Sequence, residues 1–156
     1  MWWVVAVVTV VVLVAAYVTW IAGRVDRLHE RATAAASALD AQLVRRAVAA
    51  ASFANSAMPS LRQAAATALS AGPEDRSGAE NDLTRQLRAL VADRRWEFPE
   101  DLVTTSRRVA LARQVHDDLV RDALASRRRI AVRVLRLASK HPKPMYFDIE
   151  EPLLEP

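Results

Sequence analysis

Hydrophobic positions divide the chain into one unbroken apolar run and a periodic remainder. Between Trp2 and Ala22 every residue is apolar except Thr9 and Thr19. At about 1.5 Å per helical residue this run spans roughly 30 Å, the thickness of a bilayer's hydrocarbon core. Val, Leu and Ile fill its middle, while Trp2, Trp3 and Trp20 stand near its ends, where indole rings suit headgroup depth. A buried core helix rarely runs this far without a charge. A cleaved signal peptide needs a basic leader and a shorter apolar stretch, and neither is present. The pattern predicts an uncleaved transmembrane helix over residues 1–23.

Beyond it the apolar spacing changes to three and four. Val25, Leu28, Ala32, Ala35, Leu39, Leu43, Ala47, Ala50 and Ala54 fall on one helical face. Eleven of residues 32–55 are Ala, a strong helix former whose small side chain lets neighbouring helices approach closely. No Gly or Pro lies between Arg24 and Met58, so one helix can continue from the apolar run through Gly23. Pro59 disfavours α conformation at Met58 and ends or kinks that helix, leaving a full reversal and a bend both open. A second helix follows over Ser60–Ser70, and Gly72–Gly78 (GPEDRSG) reads as a loop. Ser77 with Glu80 forms a capping-box pattern that opens a helix over Ala79–Glu97, with Leu83, Leu87, Leu90 and Val91 inward.

Phe98-Pro99 is the next break, and Pro99-Glu100-Asp101 favours a new helix start. That last helix extends over Glu100–Lys140, its apolar side carrying Leu102, Val109, Ala112, Val115, Leu119, Ala123, Ile130, Val134 and Leu137. No strand pattern competes. The expected fold is all-α: an N-terminal transmembrane helix followed by an elongated antiparallel bundle of three to four helices. Its divisions are the anchor at 1–23, the bundle at 24–142 and an acidic, Pro-containing tail at 143–156.

Composition narrows the chemistry. The 156 residues include three Gly and no Cys, which excludes disulfides, thiol nucleophiles and Cys-ligated metals. All 22 basic and 18 acidic residues lie beyond residue 22, and the net charge is +4. Arg24, Arg27 and Arg31 follow the apolar run directly, while only the α-amino group precedes it. The basic flank stays in the cytoplasm, so the N-terminus is expected outside and the bundle inside.

Few side chains suggest a reaction. His29-Glu30 begins like a zinc H-E-x-x-H motif, but Thr33 stands where the second ligand would be. His116, Asp117 and Asp118 are successive on a helix and point about 100° apart, so they share an ion only with a distant partner. As polar positions of an amphipathic helix they need no other explanation. His141 suits a helix C-terminus. Arg129, Arg133, Arg136 and Lys140 form a basic stripe that an anionic lipid, a nucleic acid or an acidic protein would complement. A helix face turned to solvent looks the same. Nucleic acid is disfavoured because the stretch lacks interleaved aromatic residues.

LDAQLVRR (Leu39–Arg46), RRVALARQVHDDLVRD (Arg107–Asp122) and the ending PKPMYFDIEEP (Pro142–Pro152) carry a family resemblance. The first resembles the hydrophobic-D-x-Q-L-x-R-R run of LemA family proteins. The second is similar to their last long helix, E-x-x-I-x-x-A-R-x-x-Y-N-x-x-V. The third resembles a closing aromatic-acidic segment of actinobacterial members. His116-Asp117 stand at the family's usual Tyr-Asn, Ala51 at a common Pro, and Ala123-Leu124 at a second Tyr-Asn. The resemblance implies a bacterial single-pass membrane protein with an external N-terminus and a cytoplasmic helical body. It also implies TPM-domain membrane proteins as a partner class, and it names no reaction and no cofactor.

The sequence therefore leads to a membrane-anchored, non-enzymatic interaction or scaffold protein, held by Trp2, Trp3, Trp20, Arg24 and Arg27, without cofactor or metal. Its partners would be the bilayer, another membrane protein, or a second copy docking through Ala-rich faces. The alternative is an anion-binding module built on Arg129–Lys140. An enzyme using His116, Asp117 and Asp118 would require these side chains to face an inward pocket.

Overall fold

A computed structural model describes residues 1–93, 95–128 and 142–154. Within them lie four α-helices and no strand: α1 (Trp2–Phe53), α2 (Pro59–Ser70), α3 (Arg76–Asp93) and α4 (Glu100–Arg128). The chain divides into two compact units. One comprises Met1–Ala34 with Asp118–Met145, and the other Ala35–Asp117 with Tyr146–Pro156. The part of the last expected helix beyond Arg128, to Lys140, lies outside the described residues.

Helix α1 runs through Gly23 without a break. The sequence stripe is the buried stripe: Val25, Ala32, Leu39, Leu43, Ala47 and Ala50 are all enclosed. In the first unit burial begins at Ile21 and Val25, and on α4 it takes Val120, Ala123 and Ser126.

The second unit is a bundle with its core in two clusters. One gathers Ala47 and Ala50 of α1, Leu61, Ala64, Ala65 and Ala68 of α2, Leu83 and Leu87 of α3, and Leu102 of α4. The other joins Leu39 and Leu43 to Val109 of α4 and Ile149 of the tail. As α1 advances from Leu39 to Ala50, its α4 partners recede from Val109 to Leu102, so these helices are antiparallel. Asp40 pairs with Arg76, and Arg46 with Glu80, so α3 runs parallel to α1.

Pro59 marks a full reversal. The Asn55 side chain accepts a hydrogen bond from the Ala57 N–H at 2.9 Å, and its carbonyl accepts from Met58 N–H at 3.1 Å. This Asx turn brings Pro59 to the first position of α2, where its missing N–H costs nothing. At the same end of the bundle the rings of Phe53 and Phe98 approach to 5.3 Å, and Trp96 packs on the core beside them.

Two local readings are corrected. Helix α3 opens at Arg76, not Ala79, so Ser77 lies inside the first turn and Glu80 turns to Arg46 instead of closing a capping box. On α4, Val115 is 48% exposed while His116 and Val120 are buried. The buried face there mixes apolar with polar residues (Thr105, Ser106, His116), which a purely hydrophobic pattern misplaces by one position.

Replacing Leu43, fully enclosed between α1 and α4, with Ala is expected to cost about 2–5 kcal/mol. Val115→Ala on the exposed side is expected to stay within about 0.5 kcal/mol. Denaturant unfolding of the detergent-solubilised chain, followed by helical circular dichroism, measures both, and equal costs would refute this placement of the core.

Candidate functional site

The most demanding feature of the second unit is a buried charge. Arg46 sits on the α1 stripe, three residues after Leu43, so helical periodicity carries its guanidinium into the interior. Both Arg46 and Glu80 are wholly enclosed. Arg46 Nη1 lies 3.4 Å from Glu80 Oε2, and Nη2 donates to Thr84 Oγ1 at 3.0 Å. Thr84 Oγ1 in turn donates to the Glu80 carbonyl at 2.8 Å. Arg46 Nε and Glu80 Oε1 have no hydrogen-bond partner among the described residues.

The ion pair is longer than a tight charge-assisted bond, which closes to about 2.7–2.9 Å. Desolvation therefore prevails over attraction. Burial pushes the Glu80 carboxyl up to about 7, against the pull of Arg46 and Arg76 and with some help from Asp40. Burial likewise lowers Arg46, opposed by Glu80 and assisted by Arg88.

Beside this pair is a cleft of about 340 Å³, lined by Ala36, Leu39, Asp40, Leu43, Pro73, Arg76, His116 and Phe147. Arg76 lies 3.1 Å from Asp40 and donates to the Ala68 carbonyl at 2.7 Å, tying α1, α2 and α3 together. His116 is buried at the cleft wall, with Nδ1 3.5 Å from Asp117 Oδ1 and no hydrogen-bond partner among the described residues. Asp117 also faces Arg113 at 3.7 Å, whereas Asp118 pairs with Arg121 at 2.8 Å. The structure thus takes His116 into a cleft but does not bring the His116–Asp117–Asp118 run together around one point. Among the described residues no three His, Asp or Glu side chains are arranged to hold a metal ion.

A second surface of α3 receives the tail. Asn81 spans two backbone groups: Nδ2 donates to the Asp148 carbonyl at 3.4 Å, and Oδ1 accepts from Glu150 N–H at 2.7 Å. Arg88 donates to Glu150 Oε2 at 2.9 Å and to the Glu151 carbonyl at 2.7 Å, and Arg85 stands 3.8 Å from Glu150 Oε1. Asn81, Arg85 and Arg88 are spaced four and three apart, a single helical row. Ile149 is buried against Leu39, Leu43 and Val109 with Phe147 beside it, and Leu154 reaches the other cluster. The tail therefore docks, through Phe147 and Ile149, while Tyr146 remains exposed.

The expected anchor residues behave differently. Trp2, Trp3 and Trp20 are 93%, 71% and 56% exposed, and the valines from Val4 to Val14 are exposed as well, while Val18 is half-buried. The Arg24 guanidinium lies 6.0 Å from the centre of the Trp20 ring, a cation–π pair one turn apart, and Arg27 is exposed. Thr9 and Thr19 return their hydroxyls to the carbonyls of Val5 and Ala15 at 2.8 and 2.9 Å, so the apolar run leaves neither hydroxyl unbonded. This is one helix long and apolar enough to cross a membrane. Arg129, Arg133, Arg136 and Lys140 lie outside the described residues.

No family model, no curated protein and no solved structure matches the chain.

Sequence reasoning passed over Thr84, Asn81 and Arg88, read Glu80 as half of a capping box, and took Arg46 only as part of the LDAQLVRR run. The one available signal was Arg46 falling in register with Leu39, Leu43 and Ala50, a charge on an apolar stripe.

Glu80 is expected to make the fold pH-dependent in an unusual direction. Its folded pKa exceeds the ordinary value of 4.5, so the folded state holds the proton more tightly and stability falls as pH rises from about 4.5 to 7. The loss is about 3 kcal/mol, complete above pH 7. Comparing unfolding at pH 5 and pH 8 in the wild type and in Glu80→Gln checks this, since the variant loses that slope. Arg46→Met alone is expected to destabilise by about 3–5 kcal/mol at neutral pH, and Arg46→Met with Glu80→Leu to recover most of it.

Proposed function

We propose that the chain is a membrane-tethered, non-enzymatic interaction protein of the LemA type. Trp2–Ala22 spans the bilayer with the N-terminus outside, and the bundle stands in the cytoplasm. The observation that carries this reading is the uncovered apolar face. From Trp2 through Val14 every residue is exposed on a helix with no protein around it, a surface that water disfavours and hydrocarbon accepts. Internally bonded Thr hydroxyls fit the same environment, where every polar group needs a partner inside the segment. Trp20 and Arg24 suit the headgroup layer, and Arg24, Arg27 and Arg31 put the basic flank on the cytoplasmic side.

The interaction half of the reading draws on the bundle. Its ionisable groups engage one another across helices, the buried Arg46 with the buried Glu80 and the partly buried Arg76 with the exposed Asp40. The LDAQLVRR run supplies both Asp40 and Arg46, the residues that hold α3, which gives the LemA-like motif a physical role. A tether confines such a body to a thin layer beside the bilayer and raises its effective concentration for other membrane proteins.

Alkaline carbonate extraction is expected to leave the full-length protein in the membrane pellet, with Edman sequencing starting upstream of Trp20. Protease added to intact cells is expected to spare the bundle and digest it only after permeabilisation. A mature chain beginning beyond Ala22, or digestion in intact cells, would falsify the reading.

A further inference from the structure

The tail's mode of attachment is that of a ligand in a recognition site. The groove makes three kinds of contact, and each reads a different property of the segment it holds. Asn81 bonds backbone on both sides of Ile149, a donor and an acceptor that any non-helical peptide of the right shape can match. A buried hole between Leu39, Leu43 and Val109 takes the Ile149 side chain, and the adjacent cleft admits the aromatic ring two residues earlier. Arg88 and Arg85 then select a carboxylate immediately after the buried apolar residue. The segment itself is irregular, with a tight turn from the Phe147 carbonyl to the Ile149 N–H at 3.1 Å, so it brings no secondary structure of its own to the contact.

We propose that this groove is a peptide-recognition site for a non-helical acidic segment of another protein, with an aromatic residue, any residue, a β-branched apolar residue and a Glu in succession. The chain's own Phe147–Glu150 occupies the site and competes with that partner. The charge complementarity between Arg85, Arg88 and Glu150 fixes the acidic character of the occupant. The Ile149 hole and the Phe147 cleft fix its two apolar positions. The inference deepens the interaction reading and rests on it for its biological context, but membrane attachment can hold while peptide binding fails.

The covalently attached tail acts at an effective concentration on the order of millimolar, which suppresses binding of a free competitor. Releasing it opens the site. The probe is a fluorescent peptide with the sequence of residues 144–154, titrated by anisotropy against the full chain in detergent micelles. The wild type is expected to bind weakly, and the full-length Phe147→Asp/Ile149→Asp variant at least about tenfold tighter. Adding Asn81→Ala and Arg88→Glu to that variant abolishes the gain, as does an Ile→Asp change in the peptide. No gain on releasing the tail, or a gain that survives loss of Asn81 and Arg88, overturns the proposal. If the released variant loses helical circular dichroism, the wild type answers instead by hydrogen exchange. Excess peptide is then expected to speed exchange at the Glu150 amide, and unchanged exchange overturns the proposal. A tail-exchanged dimer that takes up no peptide also overturns it, since a second copy would then be the occupant.

Discussion

A single buried guanidinium constrains the second unit. Arg46 lies among Leu39, Leu43, Ala47 and Ala50, a surface that must be enclosed, and enclosing it takes a positive charge out of water. Unpaired, such a charge costs several kcal/mol, so α3 is confined to the register that sets Glu80 and Thr84 opposite it. Sliding α3 by one turn would put Thr84 and Arg88, or Arg76 and Glu80, where Glu80 and Thr84 now stand, and so bring a second guanidinium beside Arg46 in either direction. The pair adds little net stability of its own, because it is long and the desolvation that raises Glu80 outweighs the pull of Arg46. It works by making alternative registers expensive.

That register fixes what the rest of α3 presents. Glu80, Leu83, Thr84 and Leu87 turn inward, and Asn81, Arg85 and Arg88 follow on a neighbouring row about 100° away. The inward row answers α1; the neighbouring row grips the tail. Asn81 is the residue next to Glu80, so the same choice of register that satisfies the buried charge aims the amide at the tail's backbone. Ile149 completes the link, because the hole it fills is walled by Leu39 and Leu43 of the same α1 stripe.

The apolar run of α1 presents a different surface. Between Trp2 and Trp20 every side chain but the half-buried Val18 is exposed, while from Ile21 onward one face is enclosed. The change falls where charges first enter the sequence, with Arg24 over the Trp20 ring at the junction. One continuous helix thus joins a segment whose surface suits hydrocarbon to a segment whose surface suits water on one side and protein on the other.

Much of this was legible in the chain itself. Periods of three and four, Ala-rich faces, and proline and glycine breaks determine helices, their approximate ends and the α1 stripe, because local backbone preference and one-sided burial need no knowledge of the partner. The apolar run is determined in the same way, by length and the absence of charge. What only the tertiary structure decided involves polar side chains. Glu80 reads locally as half of a capping box and becomes the partner of Arg46, thirty-four residues earlier in the chain. His116 reads as a polar position of an amphipathic helix and is buried, because the face α4 encloses contains Thr105 and Ser106 as well as Val109. The sequence leaves open whether the acidic tail docks, and the structure holds it through Asn81 and Arg88, more than sixty residues away in sequence. Hydrophobic burial is legible along one helix, whereas a hydrogen bond or an ion pair between distant residues depends on where two elements meet, and local sequence carries no record of that meeting.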